Sequence, residues 1–284
     1  MNAPVAPPPQ GPVYSFDAFS PREIAERIET AGVAKARLPL MPMTMLGMCA
    51  GAFIGLGALA ATMVLSDASL GFAAQRLVAG LVFSLGLVLV SVAGAELFTG
   101  NNLLAMAWAD GRLGAGEVLR NWAIVCAANL VGAVALAALV ALSGHAGMNG
   151  GAVGATAVKI AAAKCGLDPF TAFVRGVLCN LLVCMAVWMA MAGRSVVDKV
   201  VAIVPPVMLF VAAGFEHSIA NMYFIPLAMM LTAATPDLAA LPGAEAITLA
   251  GFLRNLAPVI LGNLIGGSVL VALVYFLIYR RKAA

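Results

Sequence analysis

Charge is scarce in this chain: only 10% of its 284 residues are Asp, Glu, Lys or Arg, while 63% are apolar and mean hydropathy is +1.01. That composition cannot cover a soluble globule of this size, so lipid must be most of its solvent. The formal charge of +3 includes no basic patch interleaved with aromatics, which excludes nucleic acid as a partner. The five cysteines, Cys49, Cys126, Cys165, Cys179 and Cys184, show no Cys-x-x-Cys spacing and their odd number argues against a full disulfide framework. They read as small apolar packing residues. The proline-rich, polar first twenty residues lack a basic start running into a short apolar core, so no cleavable signal peptide is expected. There is neither a His-Glu-x-x-His zinc motif nor a Gly-x-Ser-x-Gly elbow. An intramembrane enzyme built on Glu216, His217 and Ser218 is therefore the weaker reading, and no cofactor or metal is expected.

What is present is a series of uncharged runs, at 38–66, 77–95, 121–158, 176–193, 200–215 and 255–279. Each can supply a helix of about 20 residues across about 30 Å of hydrocarbon. Ahead of them, Ser20-Pro21-Arg22-Glu23 offers an N-cap, a first-turn proline and a glutamate at the third helical position, with Ile24 and Ile28 on one face. This predicts an amphipathic helix lying on the membrane surface. The blocks 77–109, interrupted only by Glu96, and 200–236, interrupted only by Glu216 beside His217, would run roughly 50 Å as single helices. Each is either two spans or one span broken in the middle, and both choices give an even number of spans. On the six-span reading eleven Lys and Arg fall on one side and five on the other, which places both termini in the cytoplasm of an inner-membrane protein.

An internal repeat decides between the two. Ala93-Gly94-Ala95-Glu96-Leu97-Phe98-Thr99-Gly100-Asn101 matches Ala213-Gly214-Phe215-Glu216-His217-Ser218-Ile219-Ala220-Asn221 at Ala, Gly, Glu and Asn, and Asn129-Leu130-Val131-Gly132 is echoed by Asn263-Leu264-Ile265-Gly266. A three-span unit repeated in tandem inserts its second copy upside down. Polar, glycine-containing interruptions at mid-membrane must face protein or a water-filled cavity. Broken second and fifth spans are therefore expected, with interhelical contacts at Gly47, Gly51, Gly55, Gly262 and Gly266. The expected segments are 1–19 (N-terminal segment), 20–37 (surface helix), 38–143 (first repeat), 144–168 (outward loop), 169–279 (second repeat) and 280–284 (tail).

These two motifs, with Ser84-Leu85-Gly86-Leu87, Leu178-Cys179-Asn180-Leu181-Leu182-Val183-Cys184 and Gly262-Asn263-Leu264-Ile265-Gly266-Gly267, resemble the formate/nitrite transporter family over roughly residues 20–280. The resemblance implies an all-α, aquaporin-like six-helix protomer in a homopentamer, with one pore per protomer. It further implies that His217 is a central pore histidine faced by Thr99, that Lys164, Glu216, Asn221 and Asn180 tune that site, and that Phe83, Leu87, Leu97 and Phe210 form constrictions. The expected partners are a small monovalent anion, a proton and membrane lipid. Lys164 would draw the anion in and His217, titrating near neutrality, would protonate it. Formate, nitrite and hydrosulfide all satisfy this chemistry, and water, glycerol or ammonium conduction would differ in lacking a pH dependence set by the anion.

Overall fold

The computed structural model describes residues 18–281, so the expected N-terminal segment lies outside it except for 18 and 19, and the tail except for 280 and 281. Every regular element among the described residues is helical. Helix α1 (Pro21–Ala36) starts at a closed capping box: the Ser20 N–H donates to Glu23 Oε2 at 2.8 Å and the Glu23 N–H to Ser20 Oγ at 3.4 Å. It buries Ile24 and Ile28, and also the carboxylate of Glu29, on which Arg280 Nε converges at 3.0 and 3.1 Å and Arg112 at 3.5 Å. The end of the chain thus pins the surface helix to the bundle.

Five helical stretches are long and apolar enough to cross a bilayer: 40–65, 72–93, 115–142, 169–190 and 249–279. The first is α2 (Leu40–Leu65). The second comprises α3 (Phe72–Phe83) and α4 (Leu85–Ala93), and the chain continues through an irregular stretch and a 3₁₀ turn, Gly100–Leu103, into the short α5 (Leu104–Ala109). Helix α6 (Ala115–Leu142) returns across. Residues 144–168, expected as a loop, contain the alanine-rich α7 (Ala152–Cys165), because a run of strong helix formers can bury Ala157, Val158 and Ala161 on one face. Helix α8 (Pro169–Ala190) follows, then α9 (Val196–Ala212) and α10 (Ser218–Ala234), each of 17 residues and together one broken crossing. The one-turn α11 (Pro236–Ala239) leads to the last crossing: α12 (Leu249–Leu264), a π-helical stretch Ile265–Leu273, and α13 (Val274–Tyr279). The π segment was not legible from sequence. It contains Gly266-Gly267-Ser268, and a β-carbon on Gly267 would collide with Asn180, Cys184 and Asn102, so only glycine fits at that close approach.

The repeat is larger than three spans. Helices α1 and α7 are counterparts, each lying ahead of a long span and each carrying a lysine in its last turn. Helices α2 and α6 cross at glycines so close that a β-carbon on Gly51 would fall on the Asn129 carbonyl oxygen, and one on Gly132 on that of Met48. In the other half α8 crosses the last span at Gly262 of α12 and Gly266 of the π stretch, which lie against the carbonyls of Phe173 and Val177. These two tight pairs are the walls that carry the breaks between them.

Candidate functional site

Both breaks start the same way. Gly94 and Gly214 take φ of 84° and 74°, the left-handed conformation that ends a helix at little cost for glycine alone. The chain then runs extended through Glu96 and Glu216, whose N–H groups donate to Leu46 O at 3.2 Å and Arg175 O at 3.3 Å. An asparagine across each break satisfies the rest. Asn129 Nδ2 donates to Gly47 O and Glu96 O at 2.7 and 2.9 Å, and its Oδ1 accepts the Phe98 N–H at 2.9 Å. Asn263 Nδ2 donates to Gly176 O and Glu216 O at 2.9 and 3.0 Å, and its Oδ1 accepts the Ser218 N–H at 2.9 Å. Irregular backbone at membrane depth persists here because each of these polar groups has a partner.

Each glutamate sits in a cage. Lys35 Nζ lies 2.6 Å from Glu96 Oε1, and Asn101 Nδ2 donates to Glu96 Oε2 at 2.7 Å and to Asn121 Oδ1 at 3.0 Å. Asn121 Nδ2 closes the ring on Lys35 O at 3.2 Å. In the other half Lys164 Nζ lies 2.9 Å from Glu216 Oε1, Asn221 Nδ2 donates to Glu216 Oε2 and Asn255 Oδ1, each at 2.7 Å, and Asn255 Nδ2 donates to Lys164 O at 3.0 Å. The cages differ in depth: the Lys35 side chain is 32% exposed and that of Lys164 14%.

The duplication fails at two functional positions, where the first break has Leu97 and Thr99 and the second His217 and Ile219. His217 caps α10, its Nδ1 accepting the Ala220 N–H at 3.1 Å. A backbone N–H can only donate, so Nδ1 carries no proton and the neutral ring bears it on Nε2. That nitrogen is 3.1 Å from Thr99 Oγ1, to which it therefore donates. The imidazole stacks on Phe210 with centroids 5.8 Å apart, and Phe210 meets Phe83 edge-on at 5.7 Å.

Three cavities lie in series on this centre. On the α7 side a vestibule of about 250 Å³ is lined by Arg76, Lys164 and Arg175 and narrows to Phe83, Phe210 and His217. Those same three side chains, with Leu87 and Leu97, bound a chamber of only about 10 Å³, near the smallest space that holds one water. Leu87 and Leu97 then border a second vestibule of about 280 Å³ on the α1 side, with Lys35, Glu96 and Lys199 in its wall. Thr99, Asn180 and Asn221 line none of the three. They stand behind the conduit, with Asn180 Nδ2 donating to Thr99 O, Asn102 Oδ1 and Asn263 O at 3.2, 2.7 and 2.7 Å.

Sequence reading passed over Lys35, Asn121 and Asn255, and over Arg76, Arg175 and Lys199. A signal existed for the first three. Lys35 precedes Gly47, and Lys164 precedes Gly176, by the same interval, and the same is true of Asn121 before Asn129 and Asn255 before Asn263. For the others only the folded wall reveals them.

Two inverted halves, a pair of breaks meeting at mid-depth and a small apolar chamber with His217 in its wall, between two charged vestibules, define a channel-type membrane protein of aquaporin-like plan. Its family follows from direct comparison: residues 22–277 match the family model described as formate/nitrite transporter, and the chain belongs to that family. It is 39% identical over 275 residues to the formate channel FocA of Escherichia coli (strain K12), an alignment covering 94% of this chain and 96% of that one. Among solved structures it is similar to a pentameric formate channel with formate bound, with TM-score 0.78, 36% identity, 85% of this chain and 98% of that chain covered. It is also similar to an FNT family ion channel, with TM-score 0.79, 30% identity and coverage of 90% and 98%.

Proposed function

We propose that the chain conducts formate, and small monovalent anions like it, across the inner membrane as a homopentamer with one conduit per protomer and both termini in the cytoplasm. The α1-side vestibule is then the inner mouth and the α7-side vestibule the outer one. The reading rests above all on the closed chamber at His217 Nε2, set between two aromatic or aliphatic necks and reached from either side past a caged lysine. A bare anion is costly in such a neck, while its neutral acid crosses far more cheaply. Lys164 and Lys35 raise the local concentration of anion at the two mouths, and Glu216 and Glu96 hold those ammonium groups in place.

Protonation at the centre has a structural condition. The Nε2 proton of His217 can pass to a formate oxygen only as Nδ1 takes a replacement from vestibule water, and Nδ1 must first release the Ala220 N–H. Proton coupling and the capping of α10 are thereby one event. Thr99 holds the Nε2–H in line, and Asn180 and Asn221 fix the two breaks behind it through the Thr99 carbonyl and the Glu216 carboxylate. Uptake of formate, nitrite and hydrosulfide into proteoliposomes across a range of pH tests this. Saturable formate flux that rises as the outer pH falls supports it, and flux of water or glycerol with none of any anion would overturn it.

A further inference from the structure

The outer vestibule carries more positive charge than a monovalent anion needs. Arg76, Lys164 and Arg175 face a single carboxylate, Glu216, whereas the inner vestibule sets Lys35 and Lys199 against Glu96. Lys164 is spoken for by its cage, but neither guanidinium has a carboxylate within 4.0 Å among the described residues. Arg76 gives its Nε to Ala212 O at 3.0 Å, which anchors it beside the break with Nη2 close to Gly214, and Arg175 makes no side-chain hydrogen bond among the described residues. Two planar forks left with open donors around one cavity are suited to two carboxylates at once. The space of about 250 Å³ equals about eight waters at about 30 Å³ each, ample for a three-carbon diacid.

From this we infer that the outer vestibule is a binding site for small dicarboxylate dianions, which lodge between Arg76 and Arg175 and block the conduit from outside. Such a dianion is held at the mouth and does not proceed. A single proton leaves it charged, and the Phe83–Phe210 neck opens only onto a chamber of about 10 Å³. A monovalent anion occupies one fork at most and moves on. The inner vestibule has a flexible ammonium in each cation position and no guanidinium in its wall, so the block is one-sided. This inference takes its sidedness and its flux readout from the transport reading above, while the binding itself is measured independently of flux.

Malonate above neutral pH, where both carboxyls are ionised, is the probe. Calorimetric titration of the purified protein is expected to show malonate binding at least tenfold tighter than acetate, and external malonate is expected to inhibit formate uptake by proteoliposomes while malonate trapped inside does not. Arg76→Gln with Arg175→Gln should weaken malonate binding by about tenfold or more, the loss of a charged fork at a half-solvated site, about 1.4 kcal/mol per factor of ten. Arg76→Lys with Arg175→Lys, which keeps the charge, should retain the greater part of the block, and elution of all variants as the wild-type assembly checks their fold. Malonate binding no tighter than acetate, unchanged affinity in the double glutamine variant, or equal block from inside would overturn the inference even if formate flux were normal. Absence of formate flux with malonate binding intact would instead sink the transport reading.

Discussion

Removing the caged glutamate should cost far more in the second half than in the first, although the two cages are chemical copies. In Glu216→Ala the Lys164 ammonium, only 14% exposed, loses its counter-ion at 2.9 Å, and Asn221 and Asn255 lose the Oε2 acceptor they share at 2.7 and 3.3 Å. An uncompensated buried charge of this kind costs about 3–5 kcal/mol. In Glu96→Ala the Lys35 side chain, 32% exposed, can turn into the inner vestibule, and Asn101 alone loses an acceptor at 2.7 Å, a cost of about 1–3 kcal/mol. The expected gap is therefore about 2 kcal/mol. Denaturant unfolding in mixed micelles, followed by tryptophan emission, reads it directly. Lys164→Met combined with Glu216→Leu removes both charges and should recover most of the stability lost in Glu216→Ala, while formate uptake stays impaired. Equal losses in the two single variants, or no recovery in the double variant, would refute the link drawn between depth of burial and cost.

His217→Ala deletes the α10 cap and the Nε2 donor together and is expected to abolish or deregulate pH-coupled formate uptake; proteoliposome flux with the wild-type pH profile would remove the histidine from the mechanism. Gly132→Ala places a methyl on the Met48 carbonyl, so α2 and α6 must part and the protein should lose several kcal/mol, about 2–5 by analogy with other severe packing lesions. Normal yield of assembled protein by size exclusion would contradict that. Phe210→Ala removes one side of the outer neck and should raise acetate flux relative to formate by about tenfold, the scale on which a pocket discriminates one methylene-sized group. An unchanged acetate-to-formate ratio would show that the neck lies elsewhere.

Much of the architecture was legible because lipid imposes strict bookkeeping on the chain. Long uncharged runs have to be spans, and polar interruptions inside them have to be sheltered, so the duplicated Gly-x-Glu motifs at 94–96 and 214–216 disclosed both the inverted repeat and the two breaks. The helical α7 was missed because its alanine-rich run, punctuated by Lys159 and Lys164, reads as linker when its role as the image of α1 is unknown. The π segment was missed because an apolar run containing Gly-Gly-Ser has the same local pattern in an α-helix as in a π-helix.

At the site, sequence by itself determined which residue types sit at the breaks, including the divergence of the copies at Leu97 against His217 and at Thr99 against Ile219. Tertiary structure alone decided the partners. Lys35 meets Glu96 across 61 positions, Lys164 meets Glu216 across 52, and the imidazole receives its tautomer from a neighbouring N–H and its orientation from Thr99 across 118. It also decided which cations face water in a shared vestibule. The reason is physical: periodicity and composition constrain what surrounds a residue along its own helix, whereas ion pairs, hydrogen-bond direction and cavity walls depend on distances between segments that no local pattern encodes.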